Sequence, residues 1–266
     1  MPVLQDRVSI EFSDHLALVS LDRPEKYNAL DLPMMRALVE AARLIRRQPD
    51  VRAVILSGHG KAFCSGLDFA SVSRRPASVV RAFLPWLGKA NLFQRLSLAW
   101  RNLPMPVIAV THGYCFGGGF QIALGCDFRF SSPECEFSIM EIEWGLIPDM
   151  GASVTLRDLV ALDQALELTL TGRRFKADEA LDLNLVTRID EDPLGAAHDL
   201  AHRIAERSPD AVAAAKRLLT STRQSSERNA LRRERWGQLG VLMGANQREA
   251  MRARREERPP RFRRRR

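Results

Sequence analysis

The chain has 266 residues, 45% of them hydrophobic and 27% charged, with a formal net charge of +8. Those proportions suit a globular protein with a substantial core, and no apolar run approaches the roughly 20 residues of a membrane span. The charge is local: residues 252–266 hold nine arginines and two glutamates, so the body is near neutral and the basicity is a tail.

Near the N-terminus, Gln5, Asp6, Arg7 and Glu11 interrupt any apolar stretch of the secretion-signal kind. Val8–Phe12 and Leu16–Leu21 predict two strands of a hairpin around Ser13-Asp14-His15. A polar loop, Asp22–Leu30, follows. Asp31 then caps a helix whose Met34, Met35, Leu38, Ala41, Ala42 and Ile45 recur at helical spacing, the methionines as core filler. Val51–Leu56 reads as a strand ending in a turn, and Lys61–Phe69 as a second strand-to-loop element. Ala70 to Ala99 is mostly helical, broken by Pro76 and Pro85. Its Phe83, Leu84, Trp86, Leu87, Leu92 and Phe93 suit the wall of an apolar pocket or a core equally.

Pro106–Val110 is a buried strand. Gly117-Gly118-Gly119 then opens a short buried helix, Phe120–Leu124. Bare N–H groups at a helix start carry partial positive charge, and without side chains in the way a carbonyl oxygen can approach them. A tight turn serving helix–strand packing explains the same glycines. Phe128–Phe130 and Glu136–Ser138 are further strands. Leu159, Leu162, Leu166 and Leu170 mark an amphipathic helix over Asp158–Leu170, and helices dominate from Leu194 onward. Cys64, Cys115, Cys126 and Cys135 form no CxxC pair and no metal-ligand spacing, which points to reduced, partly buried thiols in a cytoplasmic protein.

Two glycine-bearing loops after two strands, Cys64-Ser65-Gly66-Leu67-Asp68-Phe69 and Gly117-Gly118-Gly119-Phe120-Gln121, precede Glu141-Ile142-Glu143-Trp144-Gly145-Leu146-Ile147-Pro148-Asp149. Together they resemble the crotonase family, the enoyl-CoA hydratase/isomerase superfamily, from about Val8 to about Val186. The resemblance implies an α/β fold, the ClpP/crotonase-like ββα spiral, over residues 1–195. It further implies a C-terminal α-helical trimerisation region over 196–266 and a homotrimer or dimer of trimers. The substrate would be an acyl-CoA thioester, with coenzyme A entering as part of it and no metal or redox cofactor. The N–H groups of Leu67 and Gly118 would form an oxyanion hole, with Asp68 holding the first loop. Lys26 and Ala29 would meet the nucleotide end of coenzyme A, and Ala62, Ser65, Gly66, Phe69, Tyr114 and Gly117 would complete the substrate site. Asn184 stands where relatives usually carry Gly, and it tolerates the left-handed conformation such a turn needs.

Hydratases of the family place glutamates at the positions of Gln121 and Glu141. An amide cannot act as a general acid or base near neutral pH, so Gln121 compromises two-carboxylate hydration. The resemblance therefore implies an enoyl-CoA isomerase in which Glu141 shuttles one proton. Asp149 matches the dienoyl-CoA isomerase branch, which has an Asp eight residues after its glutamate where hydratases have Gly. That branch also has Asp at the position of Gln121, so the match is incomplete, and Asp149 has a second reading as a cap for the helix that begins at Gly151-Ala152-Ser153. The alternatives are an enoyl-CoA hydratase of fatty-acid β-oxidation and a non-catalytic acyl-CoA-binding or RNA-binding relative. His112 and Cys115 lie too close in sequence to guarantee a nucleophilic pair. Nucleic acid is not the expected partner, because the arginine tail is short and carries one aromatic; it reads as solvated, disordered or trimer-contacting.

Overall fold

The computed structural model describes residues 3–74, 76–84 and 90–266, with the Pro76 side chain outside that set. The expectations for Pro85, Trp86 and Leu87 lie outside the described residues. The hairpin forms as its alternation predicts: β1 (Val3–Leu4), β2 (Val8–Ser13) and β3 (Leu16–Leu21) pair antiparallel in succession. From β3 the sheet continues parallel through β4 (Ala53–Gly58), β5 (Val107–Thr111), β7 (Phe128–Ser131) and β10 (Arg188–Ile189). A smaller sheet joins β6 (Tyr114–Phe116) parallel to β8 (Glu136–Ser138), and β8 antiparallel to β9 (Phe175–Lys176).

Period-2 patterning divides the core. Val54, Leu56, Val107 and Ala109 face one apolar cluster, which holds Met34, Met35 and Leu38 of α1 (Leu32–Arg46). Their neighbours Ala53, Ile55, Ile108 and Val110 face a second cluster, built with Ala196, Ala197, Ala201 and Ala205 of α9 (Pro193–Ala205). A parallel strand covered on both faces reads as a continuous apolar run, as Val107–Val110 does. Burying each Val, Leu or Ile contributes about 1.5–3 kcal/mol, which fixes the strand ends and the loops that leave them. Asp31 caps α1 by accepting from the Met34 N–H at 2.8 Å, as its sequence predicts.

The remaining helices are α2 (Phe69–Val72), α3 (Pro76–Phe83), α4 (Leu92–Arg101), α5 (Gly118–Leu124), α6 (Ala152–Thr155), α7 (Leu162–Thr171), α8 (Ala177–Asp182), α10 (Pro209–Thr222), α11 (Glu227–Leu242) and α12 (Ala245–Arg255). No helix of the described residues is long and apolar enough to cross a membrane. Asn184 does adopt a left-handed conformation, with φ of 59°.

Four expectations change. Residues 62–68 form no strand: they make single bridges, Cys64 to Cys115 and Leu67 to Leu30, because Gly66 turns the chain at φ of 93°. The leucine stripe of α7 faces outward, Leu162, Leu166 and Leu170 being exposed while Leu168 is buried. Periodicity marks an apolar face without saying what covers it. The boundary expected at residue 195 falls inside α9, whose alanines pack against the sheet. The arginine tail stays largely exposed yet is tied to the body. Its Arg265 side chain donates to the carbonyls of Val51 (3.0 Å), Gln48 (3.3 Å) and Arg46 (3.4 Å), Arg264 pairs with Asp50, and Phe262 lies under the Arg52 guanidinium.

Candidate active site

Parallel strands β4 and β5 deliver two loops to one end of the sheet. After β4, residues 62–68 are pinned alongside the second loop: Phe63 N–H donates to His112 O at 2.9 Å, and Cys64 N–H to Tyr114 O at 3.0 Å. After β6, Gly117 turns at φ of 50° and ψ of −119°, a conformation open only to glycine, and starts α5. Gly119 follows at close approach: a Cβ there would lie 2.6 Å from the Cβ of Cys64. Three glycines thus let α5 begin against the first loop. The N–H groups of Leu67 and Gly118 donate to no acceptor among the described residues. Both residues line a cavity of about 490 Å³.

The same cavity is lined by Glu141 and Asp149, and by the apolar side chains of Phe69, Phe83, Phe93 and Trp144. Phe69 and Trp144 stack with ring centroids 4.2 Å apart. Glu141 sits in a single 3₁₀ turn, Met140–Trp144, closed by Gly145 in a left-handed conformation. Its Oε1 accepts from Gln121 Nε2 at 2.6 Å, while its Oε2 is buried without a hydrogen-bond partner among the described residues. Burial pushes the Glu141 carboxyl above its ordinary value. A backbone hydrogen bond and the Gln121 amide oppose that shift, and the charge of Asp149 adds to it. Burial raises Asp149 as well. Asp149 does not cap α6; Gly151 occupies that position without a side-chain bond.

Gln121 is fully buried on α5, and its orientation is forced. Its Oε1 accepts from the backbone N–H groups of Met150 (2.8 Å) and Ala152 (3.3 Å), so its Nε2 faces Glu141. Sequence reasoning placed Gln121 opposite Glu141 but missed its hold on the Met150–Ala152 turn. Those residues lie about thirty positions away, and no local pattern links them.

The other predicted residues divide. Ser65, Gly66, Phe69 and Gly117 border the cavity. Asp68 N-caps α2, accepting from Ser71 N–H at 3.0 Å, and pairs with Arg23 at 2.8 Å. Burial raises the Asp68 carboxyl, but the Arg23 guanidinium and the Ser71 N–H outweigh it and hold the pKa low. Lys26 is exposed and Ala29 half-buried; their turn meets the first loop, Ser65 N–H donating to Tyr27 O at 2.9 Å, outside the cavity wall. Ala62 is fully buried, its carbonyl taken by Asn28 Nδ2 at 2.8 Å. Tyr114 is 39% exposed and packs edge-on against Tyr27. Cys115 is fully buried and its thiol is pushed well up by burial, so it is no nucleophile; His112 is occupied by the Gly60 carbonyl at 3.0 Å.

The sequence model described as Enoyl-CoA hydratase/isomerase matches residues 11–265. The chain belongs to the enoyl-CoA hydratase/isomerase family. Within the family it is 38% identical over 222 residues to the mitochondrial Delta(3,5)-Delta(2,4)-dienoyl-CoA isomerase of Mus musculus, covering 80% of this chain and 68% of that one. It is 32% identical over 255 residues to an enoyl-CoA hydratase of Mycobacterium tuberculosis, covering 95% of each. Among solved structures, a putative enoyl-CoA hydratase from Streptomyces coelicolor superposes with a TM-score of 0.88 at 30% identity, covering 99% of this chain and 96% of that one. The spiral fold and C-terminal helices of the family are those seen here. Family members with either reaction in their names are thus similar to this chain.

Proposed function

We propose that the chain is an isomerase of unsaturated acyl-CoA thioesters, moving a double bond by way of an enolate. The observation that supports it is the Gln121–Glu141 hydrogen bond. An amide occupies the position of a second carboxylate, and its oxygen is already taken by two backbone N–H groups. Gln121 therefore has nothing with which to deprotonate water.

The thioester carbonyl oxygen rests against the N–H groups of Leu67 and Gly118. Those fixed donors stabilise the charge that develops when the α-proton leaves, an effect of about 3–4 kcal/mol per donor in a dry site. Glu141 Oε2 takes a proton from C2 of a 3-enoyl-CoA. The electron pair delocalises into a dienolate, and the proton returns at C4 to give the conjugated 2-enoyl-CoA. A carboxyl held above its ordinary pKa by burial is suited to carry that proton in both directions.

Asp149 favours a second form of the same reaction. It shares the cavity with Glu141, and its own pKa is raised by burial. On a conjugated dienoyl chain one acid would take the proton and the other would return it farther along. The outer face of α11 supports assembly from several copies, since Leu231, Leu239 and Leu242 are all exposed there.

Absorbance tests the reading. With a 3-enoyl-CoA, ultraviolet absorbance should rise as the conjugated thioester forms, and Glu141→Gln should abolish the rise. A fall with a 2-enoyl-CoA would instead establish hydration and refute the argument from Gln121.

A further inference from the structure

We propose that the cleft between α10, α11 and the C-terminal tail is a second binding site, for a small polyphosphate of the nucleoside diphosphate kind. The cleft encloses about 590 Å³, within the range of small-molecule pockets and far more than a single phosphate fills. It shares no residue with the acyl-CoA cavity. Arg46 ends α1 ahead of β4, and Leu103 and Pro104 precede β5, so the cleft lies where those strands begin. The Leu67 and Gly118 loops leave the opposite ends.

Six cationic side chains line the cleft, Arg46, Arg101, Lys216, Arg217, Arg265 and Arg266, against the single carboxylate of Asp210. Arg101 and Lys216 are neutralised by Asp158 and Asp127. Arg46 and Arg265 donate to backbone carbonyls, which satisfy their hydrogens without cancelling their charge. Arg217 and Arg266 have no carboxylate partner among the described residues. Asp210 in turn accepts from Asn246 and from the Arg266 backbone N–H. Burial lowers the Arg265 pKa and the Arg46 charge lowers it further, while the Asp210 carboxylate opposes both. Four guanidinium groups thus border one void with only the Asp210 carboxylate to offset them, and a multivalent anion would relieve the repulsion that remains.

The wall of α11 has a second unexplained feature. Gly237 and Gly240 face the cleft, and a Cβ added to either would touch nothing. Each glycine costs the helix about 1 kcal/mol relative to alanine, and neither serves packing within the chain. What they do is keep the cleft wide and flat beside the exposed ring of Trp236, a surface on which a base can lie. Leu231, Leu239 and Leu242 point from the other side of α11, so assembly through that face leaves the cleft open.

Calorimetric titration of the full chain with ADP, and separately with inorganic phosphate, tests the assignment. ADP should bind, should bind more tightly than phosphate, and should weaken as salt is raised. Arg217→Glu and Arg266→Glu should each cost about tenfold or more in ADP affinity, a factor that one lost charge contact commonly carries, with acyl-CoA turnover unchanged. Gly237→Ala with Gly240→Ala adds two methyls in open space; it should strengthen the helix yet weaken ADP. No heat with ADP overturns the proposal. So does ADP binding that survives Arg217→Glu and the glycine pair, because that nucleotide would then occupy the acyl-CoA site. Equal affinity for phosphate and ADP removes the nucleoside. A glycine pair that changes the oligomeric state in light scattering, with ADP binding intact, makes the cleft a seam between copies.

Discussion

Gln121 donates to Glu141 at 2.6 Å, and the amide that does so is held from behind by the N–H groups of Met150 and Ala152. One buried side chain therefore sets the orientation of the proposed proton carrier and the position of the turn that bears Asp149. Gly118, a candidate oxyanion donor, belongs to the same α5.

The pH dependence of kcat/KM should show this link. Turnover from the 3-enoyl side needs ionised Glu141, so the acid limb should lie above the ordinary carboxylate range, in the direction that burial shifts the group. Gln121→Ala removes a donor that favours the ionised form and should move that limb to higher pH. Gln121→Glu places a second carboxyl against Glu141 and should move it farther. A limb at the same pH in all three proteins would reduce Gln121 to packing.

Glu141→Gln should lower kcat by about 10²–10⁴-fold with little change in KM. The same variant should be more stable at neutral pH, by about 1 kcal/mol, as is common when an active-site group is neutralised. The sign follows from linkage: a carboxyl whose folded-state pKa is raised penalises folding once it ionises. The gain should vanish at acid pH below the unfolded-state carboxylate pKa. Thermal melts at both pH values decide.

Gly118→Ala should cost about 10²–10³-fold in kcat, the usual effect of disturbing one oxyanion donor. The new Cβ would meet Met150 Sδ at 2.6 Å and Leu30 Cδ1 at 2.8 Å, so α5 must shift with its N–H. Steady-state kinetics with unchanged circular dichroism would separate this from unfolding.

Trp144→Ala removes the ring that stacks on Phe69 in the cavity wall, a contact worth about 0.5–1.5 kcal/mol. KM should rise about three- to tenfold for the acyl chain that fits best, with kcat nearly unchanged. A fall in kcat alone would place Trp144 elsewhere in the cycle.

Deleting residues 261–266 should lower stability by about 1–3 kcal/mol, since the carbonyls of Arg46, Gln48 and Val51 lose their guanidinium donor. An unchanged melting temperature would mean that water replaces Arg265 at no cost.

The hairpin, α1, the central strands and both glycine loops could be read in the sequence because each rests on local periodicity or on a backbone conformation that only glycine adopts. The same applies to Asp31 as a cap and to Asn184 in its left-handed turn. What stayed hidden depends on distant partners. Residues 62–68 have a strand's composition yet take only single bridges, as Gly66 ends the pairing. The α7 leucines repeat at helical spacing, but their direction depends on neighbours. Nothing in fifteen arginine-rich residues indicates that one of them reaches three carbonyls near residue 50.

That reach has a consequence for how the chain is made. Arg265 contacts Arg46 across 219 positions of sequence, so the bond forms only after the whole stretch between them has been synthesised. The turn between α1 and β4 folds early from local contacts and then waits uncapped. A chain cut short in translation would carry an intact sheet and both glycine loops, yet leave that turn open to proteases.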